Sequence, residues 1–93
     1  MTYSEASRYS KLFEALSNPY ILQIFSYLDE NEGPISSQTL AEEIDMTVSK
    51  VEMFCKEMED LSLVSSEQGE EFASYEIYNS DETDIVSEIL EHI

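Results

Sequence analysis

The segment SQTLAEEIDMTVSKVEMFCKEMEDL, residues 37–61, decides how this chain folds. Its first eight residues place Leu40, Ala41 and Ile44 on one apolar face of a helix of about two turns, with Ser36 or Ser37 as its cap. After the tight link Asp45-Met46, Thr47 is positioned to cap a longer helix whose apolar side carries Val51, Phe54, Cys55 and Met58. Two short helices joined by three or four residues make a helix-turn-helix.

Working outward, Tyr9, Leu12, Phe13 and Leu16 follow the i, i+3, i+4, i+7 spacing of a helical face, which predicts a first helix over residues 4–17. Asn18-Pro19 then supplies an N-cap followed by proline at the first helical position, where its missing N–H costs nothing. Ile21, Ile24, Phe25 and Leu28 repeat the spacing in a second helix, which ends in the polar, glycine-containing turn DENEGP. Ile35 reads as a short extended contact before the helix-turn-helix. Beyond it, LVSSE, QGEE and FASYEIY read as a hairpin over residues 63–78, with Ala73, Tyr75 and Ile77 on one face, Ser74 and Glu76 on the other, and Gly69 in the turn. Ser80 or Asp81 caps a last helix over residues 81–93, where Ile85, Val86, Ile89, Leu90 and Ile93 form an apolar stripe. The order of elements predicts a mainly α protein with a small β-hairpin, a winged helix-turn-helix. Residues 1–93 read as a single domain without internal repeat or linker.

The composition fits such a domain but carries an unusual charge. A hydrophobic fraction of 42% with six Tyr and four Phe places the chain among globular proteins. At this length roughly 60–70% of the unfolded surface can be buried. Twenty-one acidic residues face only Arg8, Lys11, Lys50 and Lys56, for a net charge of −17, and residues 67–93 hold nine acids with no Lys or Arg. A surface of that sign repels nucleic acid and acidic membranes in dilute salt. At about 1 M salt the Debye length falls to about 3 Å, and such charges hardly see one another. We therefore read the acidity as adaptation to a cytoplasm of molar potassium salt. No apolar run approaches the roughly 18 residues that cross a bilayer, and MTYSEASRYSKLF has no basic start followed by an apolar block. A cytoplasmic protein with no membrane partner is the expectation.

Nothing in the residues suggests catalysis. The single Cys55 falls on the apolar side of a helix and the single His92 at the chain end, so no nucleophile–base pair is expected. Carboxylate pairs such as Glu42-Glu43 and Glu70-Glu71 read as solvated faces, and two glycines cannot build a phosphate-cradling loop. We expect no enzyme and no cofactor.

Across nearly its whole length the chain resembles the ArsR-type family of transcriptional regulators. LFEALSNPYILQIFSYL is similar to that family's opening, DMTVSKVEMFCKEMEDLSLV to its recognition helix and entry to the wing, and YEIYN to the strand that closes the wing. The resemblance implies a sequence-specific DNA-binding regulator, a repressor acting as a homodimer on an operator, from a halophilic archaeon or its virus. It departs from the family's pattern at several points. Tyr20 and Ile21 stand where the family usually has an Arg. Val48, Ser49, Glu52, Met53 and Phe54 occupy recognition-helix positions that usually carry Ser/Thr, Gln and Arg or His, and Ser62 replaces the Gly that ends the helix. The third helix, SSQTLAEEI, has no Cys or His, so the family's metal sites are absent and no metal is expected.

The residues assigned to DNA are Thr47, Ser49, Lys50, Met53 and Lys56 on the recognition helix, with Gln68 and the Gly69 backbone on the wing. Lys50 and Lys56 lie about 120° apart on an ideal helix, flanking a groove contact or offsetting nearby carboxylates by i,i+4 pairing. Met53 is suited to a thymine methyl. In the resembled family the first and last helices form the dimer interface, which assigns Tyr3, Tyr9, Ile85, Ile89 and Ile93 to it. A different class of function remains open: a winged-helix interaction module, or acidic DNA mimic, that binds a basic protein partner through the base-free last third.

Overall fold

The computed structural model describes residues 2–91; Ile93 and His92 lie outside that range. Helices α1 (Tyr3–Leu16) and α2 (Pro19–Glu30) are followed by the short strand β1 (Ile35–Ser36), helices α3 (Ser37–Ile44) and α4 (Val48–Asp60), strands β2 (Val64–Gln68) and β3 (Ala73–Ile77), and helix α5 (Asp81–Glu91). Each helix begins where local chemistry satisfies free backbone N–H groups. Oγ1 of Thr2 accepts from the Glu5 N–H, Oδ1 of Asn18 from Tyr20, Oγ of Ser36 from Thr39, Oγ1 of Thr47 from Lys50 and Oγ of Ser80 from Thr83, all at 2.9–3.2 Å. Pro19 occupies the first turn of α2 as predicted.

The expected hairpin is present and gains a third member. Strand β3 is central in an antiparallel sheet of order β1-β3-β2, so the extended contact at Ile35 is a strand register, Ile35 opposite Tyr75. On the other side Val64 pairs with Ile77 and Gln68 with Ala73. Gly69 is required at the wing turn for a steric reason. Its N–H donates to the Phe72 carbonyl at 3.1 Å, and a Cβ at this position would collide with that same oxygen.

One apolar cluster joins every helix to the sheet. Ile21, Ile24, Phe25 and Leu28 of α2 form its middle, closed by Leu12 and Ala15 of α1, Leu40 and Ala41 of α3, Val51, Cys55 and Met58 of α4, Leu63 and Val64, Ala73 and Tyr75, and Val86 of α5. Two expected inward residues are placed differently. Phe13 is 53% exposed, because α1 buries only the narrow stripe of Leu12 and Ala15 and turns Phe13 about 100° away from Leu12. Phe54 is half-buried, at the flank of α4 rather than beneath it.

The corner between α4 and β2 ties the two ends of the fold together. Ser62 adopts the left-handed conformation, φ +63°, its N–H donating to the Glu59 carbonyl while Leu63 N–H donates to Met58, a Schellman ending that usually has glycine. The strained turn is held from the far end of the chain. The Ser80 hydroxyl donates to the Ser62 carbonyl at 2.7 Å, and the buried Thr83 hydroxyl donates to the Tyr78 carbonyl at 2.6 Å.

Two substitutions at this corner should move stability in opposite directions. Ser62→Gly removes a left-handed penalty of about 1–2 kcal/mol and gives back about 0.4–1 kcal/mol through a freer unfolded chain, so the urea midpoint should rise. Thr83→Val leaves the Tyr78 carbonyl without the donor of a part-buried hydrogen bond and should cost about 0.5–1.5 kcal/mol. A midpoint that falls for Ser62→Gly would show that the corner is not strained.

Candidate nucleic-acid interface

Helix α4 buries Val51, Cys55 and Met58 completely and turns its opposite face to solvent. On an ideal helix Met53 lies close to the centre of that outward face, with Lys50 about 60° to one side and Lys56 about 60° to the other. Met53 is 57% exposed, and Ser49 shares its face one turn earlier. Among the described residues the one ion pair joins Arg8 of α1 to Glu82 of α5 at 3.3 Å. Lys50 and Lys56 are therefore not spent on i,i+4 pairing with described carboxylates, which was the second use open to them.

The residues assigned from sequence on α4 and at Gln68 divide between two hollows along the helix. Thr47 and Lys50 line the first, together with Asp45, Met46 and Tyr20 from the start of α2. Ser49, Met53, Lys56 and Gln68 line the second, a cleft between α4 and the wing closed by Glu52, Glu59, Ser66 and Tyr75. Thr47 is exposed and has its oxygen engaged by the Lys50 N–H at 3.2 Å, which leaves its own O–H and the other first-turn N–H groups free. At the wing tip Gly69 is exposed, but its N–H is committed to Phe72, so of its backbone only the carbonyl is free to meet a partner.

Two features of this face were not anticipated. The Tyr20 and Phe54 rings stack at 5.8 Å between centroids with 19° between planes, bridging the start of α2 to the flank of α4. An exposed aromatic in the first turn of α2 was the available signal for Tyr20, though its partner lies far along the chain. The second is the hydrogen bond from the Ser66 hydroxyl to the Glu59 carboxylate, which fastens the wing to α4.

Under this face the environment is dry and negative. Burial, then the carboxylates Glu52 and Glu59, push the Cys55 thiol up to about 12. Burial first, then Cys55, Glu52 and Glu59, push the Tyr75 hydroxyl to about 12 as well. Neither group supplies an anion or a nucleophile near neutral pH.

The second face of interest runs along α1 and α5. Ala6, Tyr9, Ser10 and Phe13 recur at i, i+3, i+4 and i+7 and, with Ile85, line a shallow apolar hollow. Ile89 is half-buried beside it in sequence on α5. Tyr3, 89% exposed, belongs instead to a polar recess with Arg8, Lys11, Ser62 and Glu82. Arg8 lies 5.1 Å over the Tyr9 ring centroid, and its hydrogen bond to the Tyr9 hydroxyl, then Glu82, hold its guanidinium pKa above the ordinary value. Among the described residues no group of three or more His, Cys, Asp or Glu is arranged to hold a metal ion, and no helix is long and apolar enough to cross a membrane.

No protein-family model and no curated protein sequence matches the chain. Solved structures do. A homodimeric winged helix-turn-helix DNA-binding domain from Mycobacterium bovis, a possible ArsR-family regulator, superposes with a TM-score of 0.81 at 17% identity, covering 96% of this chain and 81% of that one. HlyU from Vibrio cholerae gives 0.82 at 15% identity, covering 98% and 97%. The transcriptional repressor BigR from Xylella fastidiosa gives 0.78 at 17% identity, covering 97% and 87%. At these identities the likeness establishes the fold, a winged helix-turn-helix.

The buried thiol generates a prediction. Its folded pKa of about 12 lies above the ordinary value of 9.0, so the stability it contributes is complete below pH 9 and is lost as pH rises from 9 to about 12. Urea midpoints should fall between about pH 8 and about pH 10.5, and Cys55→Ala should flatten part of that decline. In the native protein at pH 8 the thiol should react with an aromatic disulfide only at the rate of unfolding; fast labelling would place Cys55 outside the core.

Proposed function

We propose that this chain is a sequence-specific DNA-binding transcription regulator, a repressor that works as a homodimer at high salt. The observation that carries the reading is the outward face of α4, where Ser49, Lys50, Met53 and Lys56 project free of ion pairs on a fold shared with winged-helix regulators. In that arrangement the N-terminal half of α4 enters the major groove, and the first-turn N–H groups with Thr47 meet a phosphate. Lys50 and Lys56 contact the backbone on either side, and Gln68 reaches DNA from the wing. The apolar strip of Tyr9, Phe13 and Ile85, extended by Ile89, pairs with its copy in a two-fold dimer. Two α4 helices then face successive major grooves about 34 Å apart on a palindromic site.

The net charge of −17 determines where this works. In dilute salt the Glu-rich wing and α5 repel phosphates; near 1 M salt the screening length is about 3 Å and the repulsion is removed. Counterion release contributes little there, so affinity rests on hydrogen bonds and apolar contacts. A dimer seated on promoter DNA obstructs polymerase, which is the simplest way for so small a protein to act. BigR, of the same fold, is a repressor.

Fluorescence anisotropy with duplexes selected from a random library, titrated in potassium chloride from about 0.1 M to above 1 M, tests the reading. Specific binding should persist at molar salt and weaken roughly tenfold when Lys50 and Lys56 both become Ala, the loss expected when their hydrogen bonds to phosphate oxygens are removed. Phe13→Glu should give a folded monomer by sedimentation equilibrium, with unchanged helical circular dichroism and loss of specific binding. A folded dimer that binds no duplex at any salt would overturn the proposal.

A further inference from the structure

We infer that Met53 reads the C5 methyl group of thymine, which makes thymine at the centre of each half-site the base this protein recognises. The inference rests on the DNA-binding reading above and specifies the chemistry of its readout. In the major groove guanine is met by Arg or Lys, adenine by Asn or Gln, cytosine by a carboxylate and thymine by an apolar group on its methyl. Helix α4 contains no Arg, Asn, Gln or His. Glu52 is half-buried and lies about 100° from Met53 around the helix, and Glu57 and Asp60 fall on the C-terminal half, away from the end that enters the groove.

Lys50 and Lys56 lie about 60° to either side of the central position, aimed toward the two flanking strands rather than the groove floor. As compact ammonium groups they suit phosphates better than bidentate base contacts. Ser49 can donate or accept at either base pair and discriminates little. That leaves Met53, 57% exposed at the centre of the face, as the side chain directed at base edges. Its unbranched, polarisable thioether adapts to a methyl surface. The Tyr20–Phe54 stack prolongs the apolar surface on the Lys50 side. A contact between two apolar groups is also one that molar salt does not screen away, unlike every charge contact on this helix.

The test replaces thymine with deoxyuridine, which lacks only the methyl, one position at a time in duplexes selected at molar potassium chloride. Covering one methyl is worth about 0.8 kcal/mol, so wild-type protein should bind about fourfold more weakly at the positions Met53 faces. Met53→Ala, which removes the contact from both half-sites, should bind the thymine duplex about fifteenfold more weakly and no longer distinguish thymine from uracil. Met53→Leu should keep the distinction, and Lys50→Ala or Lys56→Ala should weaken both duplexes equally. Equal binding of both duplexes by wild type, or a difference that survives Met53→Ala, overturns the methyl readout while leaving DNA binding intact. Failure to bind any duplex removes the DNA-binding reading itself and this inference with it.

Discussion

Helix α4 is fixed in the fold by Val51, Cys55 and Met58, all fully removed from solvent, and that buried stripe determines what the opposite side can present. A helix has one orientation in which its apolar face is covered. Here that orientation directs Ser49, Lys50, Met53 and Lys56 outward, turns Glu52 toward the wing and puts Phe54 against Tyr20. The stripe also brings Cys55 close to Tyr75, which with Ser74 pairs with both neighbouring strands, so the register of the wing and the rotation of α4 are set together.

Charge plays almost no part in that cohesion. Among the described residues one ion pair, between a half-exposed Arg8 and a largely covered Glu82, links α1 to α5, and a single pair with one partner in solvent contributes little. The chain holds together through its apolar cluster and its backbone and hydroxyl hydrogen bonds, while the carboxylates form a solvated outer layer whose mutual repulsion opposes compaction at low ionic strength. Such an economy makes the apolar core and the caps carry the fold, because surface pairing offers no reserve.

The parts of the fold governed by neighbours in sequence were legible. Asn18-Pro19, Thr47 and the Ser-rich starts of α3 and α5 announced helix ends because capping is made within three residues. The end of α4 at Ser62 was also marked, by a serine standing where the resembled family has glycine, while its left-handed backbone is seen in the structure. What could not be read depended on contacts distant in sequence. The wide stripe of Tyr9, Leu12, Phe13 and Leu16 contains two adjoining faces, and only docking on α2 shows that Leu12 turns inward while Phe13 stays outside. Likewise, the candidate lysines were visible as residue types, whereas their freedom from carboxylates and the Tyr20–Phe54 stack required coordinates. Gly69 was placed correctly in its turn, but the close approach of the Phe72 carbonyl, which excludes any side chain there, was not visible from composition.

The hydroxyls of Ser80 and Thr83 join the first turn of α5 to the Ser62 corner and to the end of β3, while the Ser66–Glu59 bond joins the wing to α4. Helix α5 is thereby buttoned to the corner and to the end of β3 by neutral hydroxyls, a fastening that salt does not screen.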